Sequence, residues 1–350
     1  MAVSRTASRT ASSPHAAAPL VDVLLPVRGA RRTLPSALGD ILAERELPLR
    51  VLAIVDTPPD GDDGSRDWLA AAARADRRLI VLPGPGAGLT AALDAGLAAV
   101  TAPCVAHMEA DDRSLPGRLP RLHAALTADP SLDAVVCRAA QFGARTPGMR
   151  RYLDWQNALL SHEQLGRERF VEIPALHQTG LYRSSALRAL GGYATAGAWP
   201  ADIDFWLRWF AAADAGPRFR VARLPVVLYR WRQHGGQSTR GGSHALAVLR
   251  AAKAHHLARF LHGRPVVLLS VGNTRTAWER ELRARGVDVQ HSLEWRPRAP
   301  VPGVVASVLS AEARVGAPLV VAAYGRREAR ERVRAALGDP QEPERLLFTA

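Results

Sequence analysis

The chain has 350 residues, of which 47% are hydrophobic and 23% charged, a balance typical of soluble globular proteins with one large and one smaller domain. The formal net charge is +13, but nearly all basic residues are arginines, and Lys253 is the only lysine. The arginines are scattered through alanine-rich segments rather than clustered. We therefore expect no nucleic-acid partner, although this surface favours anionic substrates such as nucleotides.

The cysteines and the hydropathy pattern indicate the cellular compartment of the protein. Cys104 and Cys137 each lie in an apolar, strand-like run, which predicts buried thiols and excludes a disulfide scaffold. The sequence contains no run of eighteen apolar residues, so we predict no transmembrane segment. Residues 1–19 repeat Ser-Arg-Thr-Ala and lack an apolar stretch, so we expect a disordered tail rather than a secretory signal. A reducing, cytoplasmic location fits these features.

The first hundred residues alternate apolar runs with helical patterns. Strands are predicted at Val21–Val27, Leu49–Val55, Leu79–Leu82 and from Cys104. Helices are predicted from about Thr33 to Leu47, from an N-cap at Ser65 to Arg74, and from Leu89 to about Val100. Four strands that alternate with three helices indicate an α/β fold with a mostly parallel sheet flanked by helices.

A glycine-rich segment, Gly84 to Gly88, precedes the third helix. It lacks the Lys-Ser/Thr pair of a nucleotide-triphosphatase loop and contains no GxGxxG. We interpret it as a turn that leads into the helix.

The C-terminal part repeats the α/β pattern on a smaller scale. A basic helix from Ala245 to Phe260 precedes three predicted strands (265–270, 287–289 and 319–322) and two helices (276–285 and 326–337). The turn at Gly272 keeps one glycine where a dinucleotide fingerprint has three, so we expect packing or a partner protein there rather than a cofactor. The predicted domains are a tail (1–19), a large domain (20–240), a linking helix (241–263) and a small Rossmann-like domain (264–350).

An acidic stretch, Met108-Glu109-Ala110-Asp111-Asp112, follows the apolar run Cys104–His107. Carboxylates after a buried strand lie at the carboxyl edge of the sheet, where open α/β folds bind ligands. Because Glu109 and Asp111 are spaced i, i+2, their side chains project to the same side of an extended segment. The stretch predicts a Mg²⁺ or Mn²⁺ site shared with substrate phosphates. The alternative is an acidic turn that caps the helix near Pro116.

The middle of the chain interleaves aromatic and polar residues. Trp206 and Trp209 have the i, i+3 spacing of a buried helix face. Trp155 and Trp199 have less periodic support, and aromatic faces beside polar groups such as His177 commonly hold sugar rings. Core packing and sugar binding both remain open for these residues.

Together these pieces resemble family 2 inverting glycosyltransferases of the GT-A fold, over about residues 20–240. The resemblance rests on the order of seven motifs: 23–28, the strand that ends at Asp56, 88–96, 109–112, 191–193, 202–208 and 229–234. Segments 170–183 and 199–202 are similar to the N-acetylglucosaminyltransferase-like branch, which also carries a small C-terminal Rossmann-like region.

The resemblance implies a role for each matching residue. The implied donor contacts are Pro26, Val27, Arg28, Asp56, Asp94, Glu109, Ala110 and Asp111. The implied metal ligands are Asp111 and His234, the implied catalytic base is Asp202, and Trp155, His177 and Trp199 are assigned to the acceptor.

This sequence departs from the family pattern at three places. Glu109 replaces the usual aspartate, and Ala201 replaces the glutamate that commonly precedes the base. The Asp-Asp-Gly-Ser turn comes several residues late, which makes Asp63 a rival of Asp56 for the uracil contact. Asp204 likewise competes with Asp202 as the base.

The resemblance implies metal-dependent, inverting transfer of a sugar, GlcNAc or a related hexose, from a UDP-sugar to a glycan or other hydroxyl acceptor. The implied cofactor is Mn²⁺ or Mg²⁺. Two other classes stay open: a nucleotidyltransferase that makes sugar nucleotides, and a nucleotide-sugar-binding protein that has lost catalysis.

Overall fold

The computed structural model describes residues 18–57, 61–193, 197, 199–235, 245–311, 316–337 and 345–350. Of the predicted tail, only Ala18 and Pro19 fall among them. The described residues form two β-sheets, each accompanied by helices, and none of their helices is long and apolar enough to cross a membrane. The predicted α/β class is confirmed.

The larger sheet is mixed. Its strands are β1 (Val21–Val27), β2 (Leu49–Val55), β3 (Leu79–Pro83), β4 (Cys104–His107), β5 (Arg113–Ser114), β6 (Leu132–Gly143), β7 (Gly180–Arg183) and β8 (Arg220–Gln233). Their spatial order is β3-β2-β1-β4-β7-β6-β8-β5. The first four strands are parallel, whereas β7 runs antiparallel to both β4 and β6.

The strand order positions the site. In chain order, β2 and β3 are added on one side of β1. The next strand, β4, is added on the opposite side of β1. Ligands of open α/β sheets bind at such a reversal, outside the carboxyl ends of the strands. The acidic stretch follows β4, so it lies at this crevice.

Helices accompany the larger sheet. They are α1 (Leu34–Leu42), α2 (Ser65–Ala75), α3 (Leu89–Ala98), α4 (Arg118–Ala128), α5 (Pro147–Ala158), α6 (His162–Arg167), α7 (Ser184–Leu190) and α8 (Ala201–Asp214). A 3-10 turn spans His177–Thr179.

Two helix ends differ from the prediction. Helix α1 ends at Leu42 rather than near Leu47, and the Arg78 guanidinium donates to the carbonyl oxygens of Leu42 and Glu44. The helix-terminal carbonyls thus gain a partner from a distant part of the chain. The N-cap of α2 is Gly64, with a φ of +87°, so the predicted cap at Ser65 was wrong by one position.

The smaller unit is also α/β. It contains α9 (Leu246–Leu261), β9 (Val266–Ser270), α10 (Gly272–Arg283), β10 (Val289–Glu294), α11 (Gly303–Ser310), β11 (Leu319–Ala323), α12 (Arg327–Leu337) and β12 (Leu346–Thr349). Its strands are parallel, in the order β10-β9-β11-β12. Strand β10 begins two residues later than predicted, and α11 and β12 were not predicted.

The smaller sheet packs directly against the larger unit. One apolar cluster includes Trp206 of α8, Leu257 of α9 and Leu268 of β9. Beside it, the buried Nζ of Lys253 donates to the carbonyl oxygens of Val171 and Ala350, at 2.8 and 2.9 Å. These contacts support the predicted packing role of the C-terminal region. We propose the domain boundaries at 240 and 264 from the sequence pattern.

A buried carboxylate joins the strands that carry the crevice. Asp22, in β1, accepts two hydrogen bonds of 2.8 Å from Arg50 in β2. It also accepts the N–H groups of Thr101 and Ala102, which precede β4, at 2.9 Å. Burial alone would raise the pKa of Asp22, but Arg50 and the two N–H groups outweigh it and lower that pKa.

We expect Asp22→Asn to lower the free energy of unfolding by about 2–3 kcal/mol at pH 7, because Arg50 loses a buried counter-ion while still reaching water. A carboxyl with a lowered folded pKa stabilises the protein above its unfolded pKa, about 3.9, and this stabilisation is lost as the pH falls through the folded pKa. The difference between variant and wild type should therefore shrink below about pH 4 in urea titrations. Asp76→Asn, which removes a more exposed partner of Arg78, is the matched control and should cost at most about 1 kcal/mol. If Asp22→Asn lowers the free energy of unfolding by the same amount at pH 7 and below about pH 4, this account is contradicted.

Candidate active site

The acidic loop after β4 is held in place by β8. The Tyr229 hydroxyl donates to Oδ2 of Asp112 and the Arg232 N–H donates to Oδ1, both at 2.7 Å. Nε of Arg232 also donates to the carbonyl oxygen of Asp111 at 2.6 Å. Burial and the charge of Asp111 raise the pKa of Asp112 well above its usual range. Asp112 therefore anchors the loop, which leaves Glu109 and Asp111 at the crevice.

The loop does not cap the following helix. Helix α4 begins at Arg118, its N-cap is Gly117, and its first turn contains no acidic residue. The Arg118 side chain is fully buried and donates to the carbonyl oxygen of Gln178 and to Oγ of Ser114, both at 2.8 Å. Its guanidinium also lies over the Tyr229 ring. The helix-cap alternative is therefore wrong.

Asp111 and His234 meet at the mouth of the crevice. Nε2 of His234 lies 3.0 Å from Oδ2 of Asp111, and both side chains are partly exposed. Glu109 is half-buried beside them, and burial together with the charges of Asp111 and Asp202 raises its pKa to about 8. Crowded carboxylates beside an imidazole form a donor set that suits a divalent cation such as Mn²⁺ or Mg²⁺. The residues present fit the implied metal, which Asp111 and His234 would hold.

A cleft of about 770 Å³ opens at this edge of the sheet. The implied donor and metal residues that line it are Pro26, Val27, Arg28, Asp56, Glu109, Ala110, Asp111 and His234. They come from the ends of β1, β2, β4 and β8. The structure therefore brings together most of the residues that the sequence assigned to the donor.

The glycine-rich segment supports Asp56. The N–H groups of Gly86 and Gly88 donate to the two carboxylate oxygens of Asp56, at 2.6 and 3.2 Å. A Cβ at Gly84 would lie 2.8 Å from the Asp56 backbone, and Gly86 has a φ of +74°, so both positions need glycine. The predicted turn into α3 is confirmed, and its N–H groups hold a carboxylate.

The other candidate for the uracil contact also reaches the cleft. Asp63 lines it and accepts the N–H of Arg31 at 2.8 Å, as well as the Ser65 hydroxyl. Asp56 is nearly fully buried and lies 3.5 Å from the Arg28 guanidinium. Both carboxylates therefore stay candidates.

Two arginines of the cleft were missed by the sequence analysis. Arg32 and Arg232 line it, and the Arg232 guanidinium stacks on the Phe142 ring, with 4.5 Å between its central carbon and the ring centroid. The signal for Arg232 was its place two residues before His234 in the same motif. Cations in a concave site attract phosphates, so both arginines agree with the preference for anionic substrates that the charge balance predicted.

The two candidate bases have different surroundings. Asp204 is fully buried and accepts hydrogen bonds from Trp199 (2.9 Å), Arg208 (2.7 Å) and His256 (2.9 Å). Burial alone would raise the pKa of Asp204, but bonds from His256, Arg208 and Trp199 lower it. Asp202 is partly exposed in the first turn of α8, and its charge acts on Glu109. Asp204 is therefore a structural anchor, whereas Asp202 is the more accessible of the two carboxylates.

The remaining implied residues lie outside the cleft lining. Asp94, in α3, accepts the N–H of Tyr193 at 2.7 Å and so holds the turn before α8. Trp155 is buried in an apolar cluster with Val267 and other residues of the smaller sheet. Trp199 binds Asp204, and His177 is buried beneath the acidic loop. The acceptor assignments stay predictions, and the structure places those three residues in different surroundings.

Comparison with known proteins agrees with this geometry. Residues 22–191 match the model of glycosyl transferase family 2. This part of the chain is therefore similar to a family 2 glycosyltransferase domain. Curated protein sequences gave no match.

Solved structures of other proteins share the fold of this chain. S. aureus TarS 1–349 in complex with UDP-GlcNAc superposes with a TM-score of 0.52 at 14% identity, over 69% of this chain and 71% of that one. A second structure of TarS 1–349 has a TM-score of 0.50 at 15% identity, over 69% of this chain and 70% of that one. The mannosyltransferase PcManGT from Pyrobaculum calidifontis, in complex with GDP-Man and Mn²⁺, has a TM-score of 0.48 at 19% identity, over 76% of this chain and 68% of that one. The expected GT-A fold is confirmed.

We expect Asp204→Asn to destabilise the glycosyltransferase by about 2–4 kcal/mol, because a buried carboxylate with three donors is removed. Asp202→Asn should stay within about 1 kcal/mol of wild type, since a partly exposed substitution rarely costs more. Urea denaturation of both variants at pH 7 checks this pair. Equal losses in the two variants would contradict the separation into anchor and base.

Proposed function

We propose that the protein is a metal-dependent, inverting glycosyltransferase that moves GlcNAc or a related hexose from a UDP-sugar to an acceptor hydroxyl. The observation that carries the proposal is the shared cleft, which Asp111, His234 and the nucleoside-edge residues Arg28 and Asp56 all line. The TarS structure, which contains UDP-GlcNAc, supports the choice of donor.

The cleft has a nucleoside end and a phosphate end. Pro26 and Val27 end β1, Arg28 follows it, and Asp56 follows β2, so base and ribose would bind between these strand ends. A carboxylate there accepts the uracil N3–H, and Asp56 is our first choice because Gly86 and Gly88 fix its orientation. Asp63 is the second choice.

The phosphate end lies at the acidic loop. Arg32 and Arg232 both line the cleft, and we assign them to the charge that develops on the leaving diphosphate. A divalent cation held by Asp111 and His234 would supply further neutralisation of that charge when bound. Asp112, Tyr229 and Arg232 hold the loop rigid, so these groups are aligned before the donor arrives.

Inversion requires a base on the side opposite the leaving group. The acceptor hydroxyl attacks the anomeric carbon, and the base removes its proton as the bond to the diphosphate breaks. Asp202 stands at the start of α8, and its charge acts on both Glu109 and His177. We assign it as the base, and Trp199 stays a proposed acceptor contact.

UDP should stabilise the protein only when a divalent cation is present, because Asp111 and the diphosphate share the ion. At about 100 times its dissociation constant, UDP should add about 2.7 kcal/mol to the free energy of unfolding. Asp111→Ala should lose the metal-dependent part in thermal-shift titrations with Mn²⁺, while Asp154→Ala, an exposed control in α5, keeps it. Equal stabilisation by UDP in chelator would refute the metal assignment.

Asp202→Asn should fold normally and bind donor, yet lose transfer by about two to four orders of magnitude, the usual contribution of a general base. Separate measurement of UDP-sugar affinity and of kcat checks this. If donor affinity falls while turnover is unchanged, Asp202 is a binding residue and another group is the base.

A further inference from the structure

Two histidines beneath the acidic loop are not used by the proposed reaction. His107 ends β4 and His177 begins the 3-10 turn, and their rings stack with centroids 4.6 Å apart. Both are at least nine-tenths buried, and none of their four ring nitrogens has a hydrogen-bond partner among the described residues. Buried polar atoms normally have partners, so four unpaired nitrogens together need an explanation.

Glu109 connects this histidine pair to the cleft. Its Oε1 lies 3.1 Å from Nε2 of His107, in an orientation that makes no hydrogen bond. One ligand atom from each of the three residues can be chosen so that all lie within 4.8 Å of one another. Because Glu109 also lines the cleft, an ion could enter from solvent through the carboxylate side.

We propose that His107, His177 and Glu109 form a second cation site, selective for Zn²⁺ and separate from the Asp111–His234 site. Two imidazoles and one carboxylate are a familiar zinc set, whose fourth position is left for water. Ligand atoms about 2.0–2.1 Å from a tetrahedral zinc are about 3.3 Å apart, close to the observed His107–Glu109 separation. The histidines must then approach each other by rotation of their side chains.

Ligand type separates the two sites. Two imidazole nitrogens suit zinc, whereas the first site offers a single imidazole, and its Mg²⁺ or Mn²⁺ would take mainly oxygen ligands, from Asp111 and the diphosphate. Burial keeps both imidazoles neutral, with pKa values lowered to about 3, and a neutral ring is the form that binds a metal. Since the second nitrogen of each ring lacks a partner that would orient it, we expect micromolar rather than tighter affinity.

This site does not depend on the proposed transfer reaction, because its occupancy can be measured without a donor. It does exclude an acceptor contact by His177, since an ion would occupy that side chain. The site also gives a role to Glu109, which stands where the family usually has aspartate. The longer side chain of glutamate reaches the histidine pair, and the shorter side chain of aspartate would reach it less well.

The test is direct titration of the full chain with Zn²⁺ and with Co²⁺, whose visible absorption reports tetrahedral nitrogen and oxygen ligation. Saturating Mg²⁺ should leave the signal in place. His177→Gln and His107→Gln should each weaken Zn²⁺ binding at least about tenfold, the lower bound for losing a group that merely orients a ligand. Asp111→Asn should retain Zn²⁺ binding while losing Mn²⁺ binding.

Two controls make the outcome decisive. His256→Gln changes a histidine of similar burial outside the site and should leave zinc binding unchanged. If a buried histidine variant does not fold, Glu109→Gln replaces a half-buried ligand and should show the same loss. Zinc binding that disappears in Asp111→Asn but persists in His177→Gln would overturn the proposal, as would the absence of tetrahedral Co²⁺ absorption in the wild type.

Discussion

The site depends on confining like charges at the end of a buried strand. Glu109, Asp111 and Asp112 lie within four residues, and such a concentration of carboxylates is stable only if some are paired from outside the loop. Strand β8 supplies that pairing through Tyr229 and Arg232, which bind Asp112. Because one carboxylate is fixed in this way, Glu109 and Asp111 both line the cleft, where a bound cation would offset the crowding that raises the pKa of Glu109.

The number of hydrogen bonds to a carboxylate separates structural from chemical acids in this fold. Asp22 and Asp204 each accept several bonds from arginine and other donors, and both have lowered pKa values. Asp56 is intermediate, because the glycine-rich segment binds its oxygens while it still lines the cleft. Asp111 and Asp202 are more accessible than the anchors, as groups that meet a substrate must be.

Local patterns in the sequence predicted the elements that local chemistry determines. The apolar runs of β1 to β4 and the acidic stretch after β4 could be recognised because each is a continuous segment. The sequence analysis missed features that are determined by contacts between residues far apart in the chain. Helix α1 ends at Leu42, whose carbonyl oxygen binds the side chain of Arg78 from a distant part of the chain. No periodicity within a segment reports such partners, and the short strand β5 exists only through its pairing with β8.

Hydrogen bonds connect the smaller unit to the helix that carries the proposed base. His256, in α9, binds Asp204, and the same carboxylate accepts the indole N–H of Trp199. Asp204 lies two residues after Asp202 in the first turn of α8, so the helix start that carries the proposed base is fixed partly by α9. Helix α9 is in turn held by the smaller sheet, against which Leu257 packs. The C-terminal region can therefore set the orientation of the base without lining the cleft, which gives it a physical reason to accompany the catalytic domain.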